Sequence, residues 1–569
     1  MTHGRYKVMH VRRLDTGRLV LGGAVFMLVL LVVYPIGRLF YQSFRFNDVL
    51  ALGNYASVLA DSSNYVALAH SLEVSLATVL GATILGTLAA WMVARTDVPG
   101  RGFLRSAFVL PFIMPPFVSA LAWRQIFGPA GYVNQAYMSW TGATSPLWNF
   151  YGVDGIIIVM ILNLYPFVYI TALGGLERMN PELEEVAQIS GSGRWSVMRT
   201  ITLPLMAPTI ASGAVLTFIA SIANFGIPAI LGFRANYFVL TTKIFELVTR
   251  SAQANSLSAA AALSVLLAIV AGLGLFFQRV VLSRREYTVL SGKSIQPNLI
   301  RLGGARMALL VLSLLVIFVT SIAPSLAILM TALTRAYGLA PVPGNLTLNN
   351  FYDVLFVSQT SVRAIRNSVL LAIGAATIVS FLGALIAYIV VKTKLRGRTL
   401  IDFLANVPYS IPGTVVAVAM ILAWLRPIPG LRFTLYNTIW ILLVAYIARY
   451  MAFGVRSTSG SLAQVHTSLE EAARISGADW LQTFKDIVVP LIQPGLFAGW
   501  FLVFMPVLRE LTISILLWST GKETIGVMVF NLQESGNTTS AAALAVLMML
   551  VLVVANQVTR RLTGGRLGY

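Results

Sequence analysis

The sequence contains no cysteine. Disulfides, thiolate metal sites and thiol nucleophiles are therefore excluded. Histidine is nearly as scarce: His3, His10, His70 and His466 are the 4, too scattered to suggest a metal cluster. Charge is the third shortage. Only 11% of the 569 residues are charged, where a soluble domain carries about 25%. A chain this poor in charge cannot cover a water-facing surface, whereas lipid tails need no polar covering. Acids are the scarcer sign, 21 against 41 lysines and arginines, for a net charge of +20. Such basicity suits either nucleic acid or the positive-inside rule, and its distribution decides between them.

What is present is apolar: 57% of the residues are hydrophobic. They fall in blocks of roughly 20, the length of a membrane helix, and lack the alternation of a barrel strand. The fold class expected is an all-α, polytopic membrane protein. Twelve spans are expected, near 19–41, 70–94, 104–126, 154–176, 205–230 and 258–280, then 307–333, 366–391, 401–425, 438–460, 494–518 and 540–558. The apolar run from Leu19 to Phe40 follows Arg5, Lys7, Arg12 and Arg13. It is too long for a signal-peptide core and reads as an uncleaved first span. With both termini inside, most of the 41 basic residues lie in the inner segments, and the outer loop 127–153 has none. The positive-inside rule then gives cytoplasmic termini and accounts for most of the basicity without nucleic acid.

The chain repeats itself. Ser71, Pro111 and Pro115 match Ser368, Pro408 and Pro412 at an offset of 297, and Ala122-Trp123 matches Ala423-Trp424 at 301. Gly191, Pro204, Pro208 and Gly213 match Gly477, Pro490, Pro494 and Gly499 at 286. The offset drops where the outer loop 127–153 is longer than its partner 426–437. Six spans per half make the repeat parallel. The organisation expected is a tail 1–18, a first half 19–280, a basic cytoplasmic linker 281–306, a second half 307–558 and a tail 559–569. The matched prolines are expected to bend their spans.

Two cytoplasmic loops carry the strongest motif. One runs Glu184-Glu185-Val186-Ala187 to Gly191 and Pro204, the other Glu470-Glu471-Ala472-Ala473 to Gly477 and Pro490, with identical spacing. Asn180-Pro181 reads as a helix start. Ser468 with Glu471 reads as a capping box. Gly191 and Gly477 end each helix where a left-handed residue is wanted. A second amphipathic stretch then carries Trp195, Val197 and Ile201, or Trp480, Phe484 and Ile487, before the proline begins the next span. Each loop is expected to present its small residues and acids at the surface.

These loops resemble the EAA loops of type I ABC importer permeases, in the form with both halves fused. Leu203-Pro204 matches the family; Val186 replaces the middle alanine of the first copy, and Val489 precedes Pro490 in the second. The resemblance covers nearly the whole chain. It implies that Glu184, Glu185, Ala187, Gly191 and Pro204, with Glu470, Glu471, Ala473, Gly477 and Pro490, dock two copies of a cytoplasmic ATPase. ATP and Mg would sit on that partner, with no cofactor or catalysis in this chain. It further implies a periplasmic solute-binding protein, an inner-membrane location and alternating access. Asn224-Phe225-Gly226 and Leu508–Thr512 resemble the ferric-iron permeases, while thiamine or phosphonate importers share the layout.

Ionisable residues within spans are candidates for the translocation path. Arg509 and Glu510 lie mid-span, and Asn224 is the counterpart of Glu510. A buried Arg–Glu pairing involving Arg124, which only fixes packing, is the competing reading. Gly292-Lys293-Ser294 imitates a P-loop end but has Tyr287 where glycine is required. Two other classes compete. A gradient-driven transporter needs midplane ion-coordinating or relay groups, which are nearly absent. A membrane enzyme wants clustered His, Asp or Cys.

Overall fold

The computed structural model describes residues 16–46, 49–250, 255–283, 299–427 and 433–562. Most of the two expected tails and of the linker, with the Gly292-Lys293-Ser294 run, lies outside the described residues. The first half contains α1 (Gly17–Ser43), α2 (Ser62–Arg95), α3 (Arg101–Phe112), α4 (Pro116–Thr141) and α5 (Val153–Arg178). It continues with α6 (Glu182–Ile189), α7 (Trp195–Ile222), α8 (Gly226–Ala235), α9 (Leu240–Thr249) and α10 (Ser256–Phe277). The second half repeats the series as α11 (Ala305–Leu333), α12 (Gln359–Lys392), α13 (Arg398–Ser410), α14 (Gly413–Trp424) and α15 (Ile439–Leu462). It closes with α16 (Thr467–Ile475), α17 (Trp480–Leu508), α18 (Ser514–Leu517), α19 (Ile525–Glu534) and α20 (Thr538–Arg561).

Among the described residues, 10 helices are long and apolar enough to cross a bilayer, and 12 spans result when each of two bent pairs counts as one. The bent pairs are α3 with α4, at 95°, and α13 with α14, at 109°. The expected spans 104–126 and 401–425 are therefore not straight. Proline is the cause, since it fixes φ and pushes its predecessor out of helix. Pro115 and Pro412 hold the same extended geometry, φ −59° with ψ 142° and φ −53° with ψ 141°.

Two other expectations are corrected. Spans 205–230 and 494–518 were to start at the prolines, yet α7 and α17 begin earlier, at Trp195 and Trp480, and stop at Ile222 and Leu508. Pro204 and Pro490 sit inside continuous helix because a π turn precedes each, Met198–Thr202 and Phe484–Val488. The π turns Val29–Val33 and Phe318–Ile322 likewise end two residues before Pro35 and Pro324. A proline ring crowds the carbonyl four residues back and donates no N–H, and a wider turn relieves both.

The chain divides into two compact units that do not follow the sequence halves. One comprises Met1–Gly37, Leu371–Tyr409 and Leu443–Val507. In it, α12 meets α15 so closely that a Cβ on Gly383 would lie 2.7 Å from the Gly454 carbonyl carbon. Gly17, at the start of α1, lies against Trp480, so the first span of the first half packs on the second half. The other unit comprises Arg38–Leu370, Ser410–Leu442 and Leu508–Tyr569. There α2 packs on α5 at Gly86, the repeat counterpart of Gly383, where an added Cβ would meet the Tyr165 carbonyl oxygen at 2.8 Å. Ile317 of α11 completes the core formed by Ala89, Phe108, Tyr165 and Tyr169, so here the second half lends its first span to the first. The repeat extends to single bonds. Ser71 Oγ accepts from the Leu240 N–H and Ser368 Oγ from the Ile525 N–H, both at 2.7 Å, at the starts of α9 and α19.

Candidate functional site

Each loop is a short helix closed by a glycine turn. In the first, Asn180 Oδ1 accepts from the Glu182 N–H at 3.0 Å, capping α6 as its sequence suggests. The Ser192 N–H reaches the Ala187 carbonyl and the Gly191 N–H the Gln188 carbonyl, each at 3.0 Å. That is a Schellman turn, with its left-handed residue at Gly191, φ +88°. The second loop repeats it. Ala478 bonds to Ala473 at 3.0 Å and Gly477 to Arg474 at 3.1 Å, with Gly477 at φ +90°.

The capping box expected of Ser468 and Glu471 is not formed. Helix α16 starts earlier, and His466 Nδ1 accepts from the Ser468 N–H at 3.3 Å. A capping box does occur one helix later: Gln482 N–H donates to Asp479 Oδ1 at 2.8 Å, and Asp479 N–H to Gln482 Oε1 at 3.0 Å.

The paired acids part company. Glu184 turns back to the chain, 3.6 Å from Arg95 Nε at the end of α2, and accepts from Thr202 Oγ1 at 2.6 Å. Glu470 is buried, 3.4 Å from Lys392 Nζ at the end of α12, and accepts from Tyr388 Oη at 2.7 Å. Glu185 is half-buried and Glu471 exposed. The small residues also differ from expectation: Ala473 is buried and Ala187 half-buried, because each sits on the inward face of an amphipathic turn. The outward face carries apolar side chains among its polar ones. Ile189 and Ile475, equivalent under the repeat, are each 87% exposed, flanked by Leu183 and Val186 or by Leu469. In the amphipathic stretch that follows, Trp195 is 72% exposed while Val197 is buried.

Arg95 and Lys392 were not singled out from the sequence. They lie 297 apart, the offset of Ser71 and Ser368, and that register is the signal that finds them. Ile189 and Ile475, 286 apart like the paired acids, were open to the same argument.

Asn224 and Glu510 both cap helix breaks. Asn224 Oδ1 accepts from the Ile227 N–H at 3.1 Å; Glu510 accepts from the Ile513 N–H at 2.9 Å and from Ser514 Oγ at 3.1 Å. Both residues are buried. The Arg509 guanidinium donates to the Phe112 carbonyl, and Arg124 lies 6.0 Å from the Tyr337 ring centroid. Among the described residues, no group of three or more His, Cys, Asp or Glu is placed to hold a metal ion.

The family model for binding-protein-dependent transport system inner membrane components matches residues 82–287 and 379–564, one stretch in each half. A putative ferric transport system permease protein of Haemophilus influenzae is 29% identical over 502 residues, covering 87% of this chain and 76% of the relative. A ferric transport system permease protein of Actinobacillus pleuropneumoniae is 28% identical over 525 residues, covering 90% of this chain and 74% of the relative. A molybdenum transport system permease protein of Escherichia coli is 33% identical over 157 residues, covering 27% of this chain and 66% of the relative. The two matched stretches make up more than half of the chain and bracket the two glycine-turned loops, so this protein belongs to the binding-protein-dependent transport system inner membrane components, as a multi-pass permease with both halves in one chain.

Proposed function

We propose that this permease imports ferric iron, driven by two copies of a separate ATPase that seat on the loops at α6 and α16. One observation carries the docking reading. Two helices of equal spacing, each ended by a Schellman turn, hold an isoleucine 87% exposed at the same position. Each isoleucine extends a stripe of exposed apolar side chains, Leu183 and Val186 before Ile189 and Leu469 before Ile475, and such a stripe suits a partner groove. In this reading the termini and both loops are cytoplasmic, a placement that the distribution of basic residues supports. ATP and Mg belong to the ATPase. Movement of the loops alternates the permease between inward- and outward-facing states, and a periplasmic binding protein delivers the solute. The choice of iron rests on the ferric transport permeases, which match along most of the chain.

The test is co-purification in detergent with the ATPase and the binding protein encoded beside this chain. Two ATPases per permease are expected, and Glu185→Lys with Glu471→Lys weakens both contacts. The metal content of the purified binding protein tests iron separately. A binding protein that carries molybdate, thiamine or a phosphonate replaces iron and leaves the docking reading intact. A wild-type permease that recruits no ATPase refutes the docking reading.

A further inference from the structure

Each loop is joined through the backbone to two helices, α5 and α7 in the first half and α15 and α17 in the second. A third helix reaches it only through side chains. Arg95 ends α2 and Lys392 ends α12, and each faces the first of its loop's two adjacent glutamates, Glu184 at 3.6 Å and Glu470 at 3.4 Å. The bases are 297 apart and the acids 286, so the two contacts are equivalent under the repeat. The residues are not the same. Arginine stands for lysine, and the acid's second bond comes from Thr202 in one loop and Tyr388 in the other. What recurs is a cation–carboxylate contact at one place in the architecture.

These contacts are removed from water: the side chains are 3% and 17% exposed in the first, 6% and 7% in the second. A buried ion pair loses in desolvation about what it gains in attraction, and an apolar pair of similar volume often holds as well. Stability is thus a weak account of a pair that occurs twice. Fixing one element against another is the better-attested use of buried charge. The helices concerned are already closely packed, α2 on α5 at Gly86 and α12 on α15 at Gly383.

We propose that Arg95–Glu184 and Lys392–Glu470 are latches that make each loop move as one body with a helix that does not adjoin it in the chain. A displacement of the loop is then passed to three helices instead of two. This inference rests on the reading that the loops seat the ATPase. Arg95, Lys392, Glu184 and Glu470 are positioning residues in it.

The test uses the complete importer in proteoliposomes, with the binding protein purified together with the solute it carries. The readout is binding-protein-stimulated ATP hydrolysis relative to the basal rate. Arg95→Met and Lys392→Met keep the ATPase bound, but the stimulation falls about fivefold or more. The exchanges Arg95→Glu/Glu184→Arg and Lys392→Glu/Glu470→Lys recover most of it. Unchanged stimulation in both methionine variants overturns the latch, as does a loss that the exchanges leave in place. If a methionine variant does not fold, its exchange decides: full stimulation supports the latch and a lowered ratio overturns it. Absence of the ATPase from the wild-type complex overturns the docking reading instead, which keeps the two failures apart.

Discussion

Gly191 and Gly477 have open space where a Cβ would stand, so their constraint is conformational. An L residue held in the left-handed region pays roughly 1–2 kcal/mol, and asparagine tolerates it better than a β-branched residue. Gly477→Asn is therefore expected to retain ATPase in co-purification and Gly477→Val to lose much of it. Equal retention would show that the turn does not depend on the left-handed residue. Glu510 offers a second residue-scale test. Its carboxylate serves backbone N–H groups at the break before α18, and Asn224 does the same before α8 with an amide. Capping needs an acceptor, not a charge. Glu510→Asn should keep the melting temperature near wild type, whereas Glu510→Leu should cost about 1–3 kcal/mol by leaving buried donors unpaired. A thermal melt of the purified protein checks both. The sequence singled out both positions as candidates for the translocation path. It did not reveal what they bond, because a cap is recognised only once the helix break is known.

Among the elements, the two bent pairs were legible in advance from Pro111, Pro115, Pro408 and Pro412. The π turns were not, since nothing local separates a proline that starts a helix from one accommodated within it. Helix contact is set more finely. At Gly383 an added Cβ would come within 2.7 Å of the Gly454 backbone, whereas at Gly374 on the same helix it would stand 3.4 Å from Leu443 Cδ1. Overpacking against backbone costs typically about 1–3 kcal/mol, while a flexible side chain yields. Gly383→Ala is thus expected to lower the melting temperature and Gly374→Ala to leave it unchanged. A similar melt for the two variants would mean that α12 and α15 are not held at this distance in the membrane.

For the whole molecule, the repeat makes a quantitative demand. If the exposed isoleucines are the apolar contacts with the ATPase, Ile189→Asp and Ile475→Asp should each remove one ATPase copy and their combination both. Mass measurement of the purified complex reads the stoichiometry directly. Loss of both copies on a single substitution would instead mean that the ATPases bind only as a pair. The exchanged first spans, with α1 against Trp480 and Ile317 of α11 in the core of the other unit, tie the two halves of one chain together. Contiguous halves were the natural expectation from the sequence. Apolar helices advertise no partner, since lipid and protein surfaces are equally apolar.

The membrane environment, the parallel repeat and the glycine-turned loops follow from composition and spacing alone. Each depends on the solvent or on a few consecutive residues, so no distant contact has to be known. The inward turn of Glu184 and Glu470, the anchors Arg95 and Lys392, the capping role of Asn224 and Glu510 and the exchange of first spans were decided only by tertiary structure. The two caps bond within four residues but depend on where packing breaks the helix; in the others, groups far apart in the chain share one buried place, and burial selects which polar atoms must be paired.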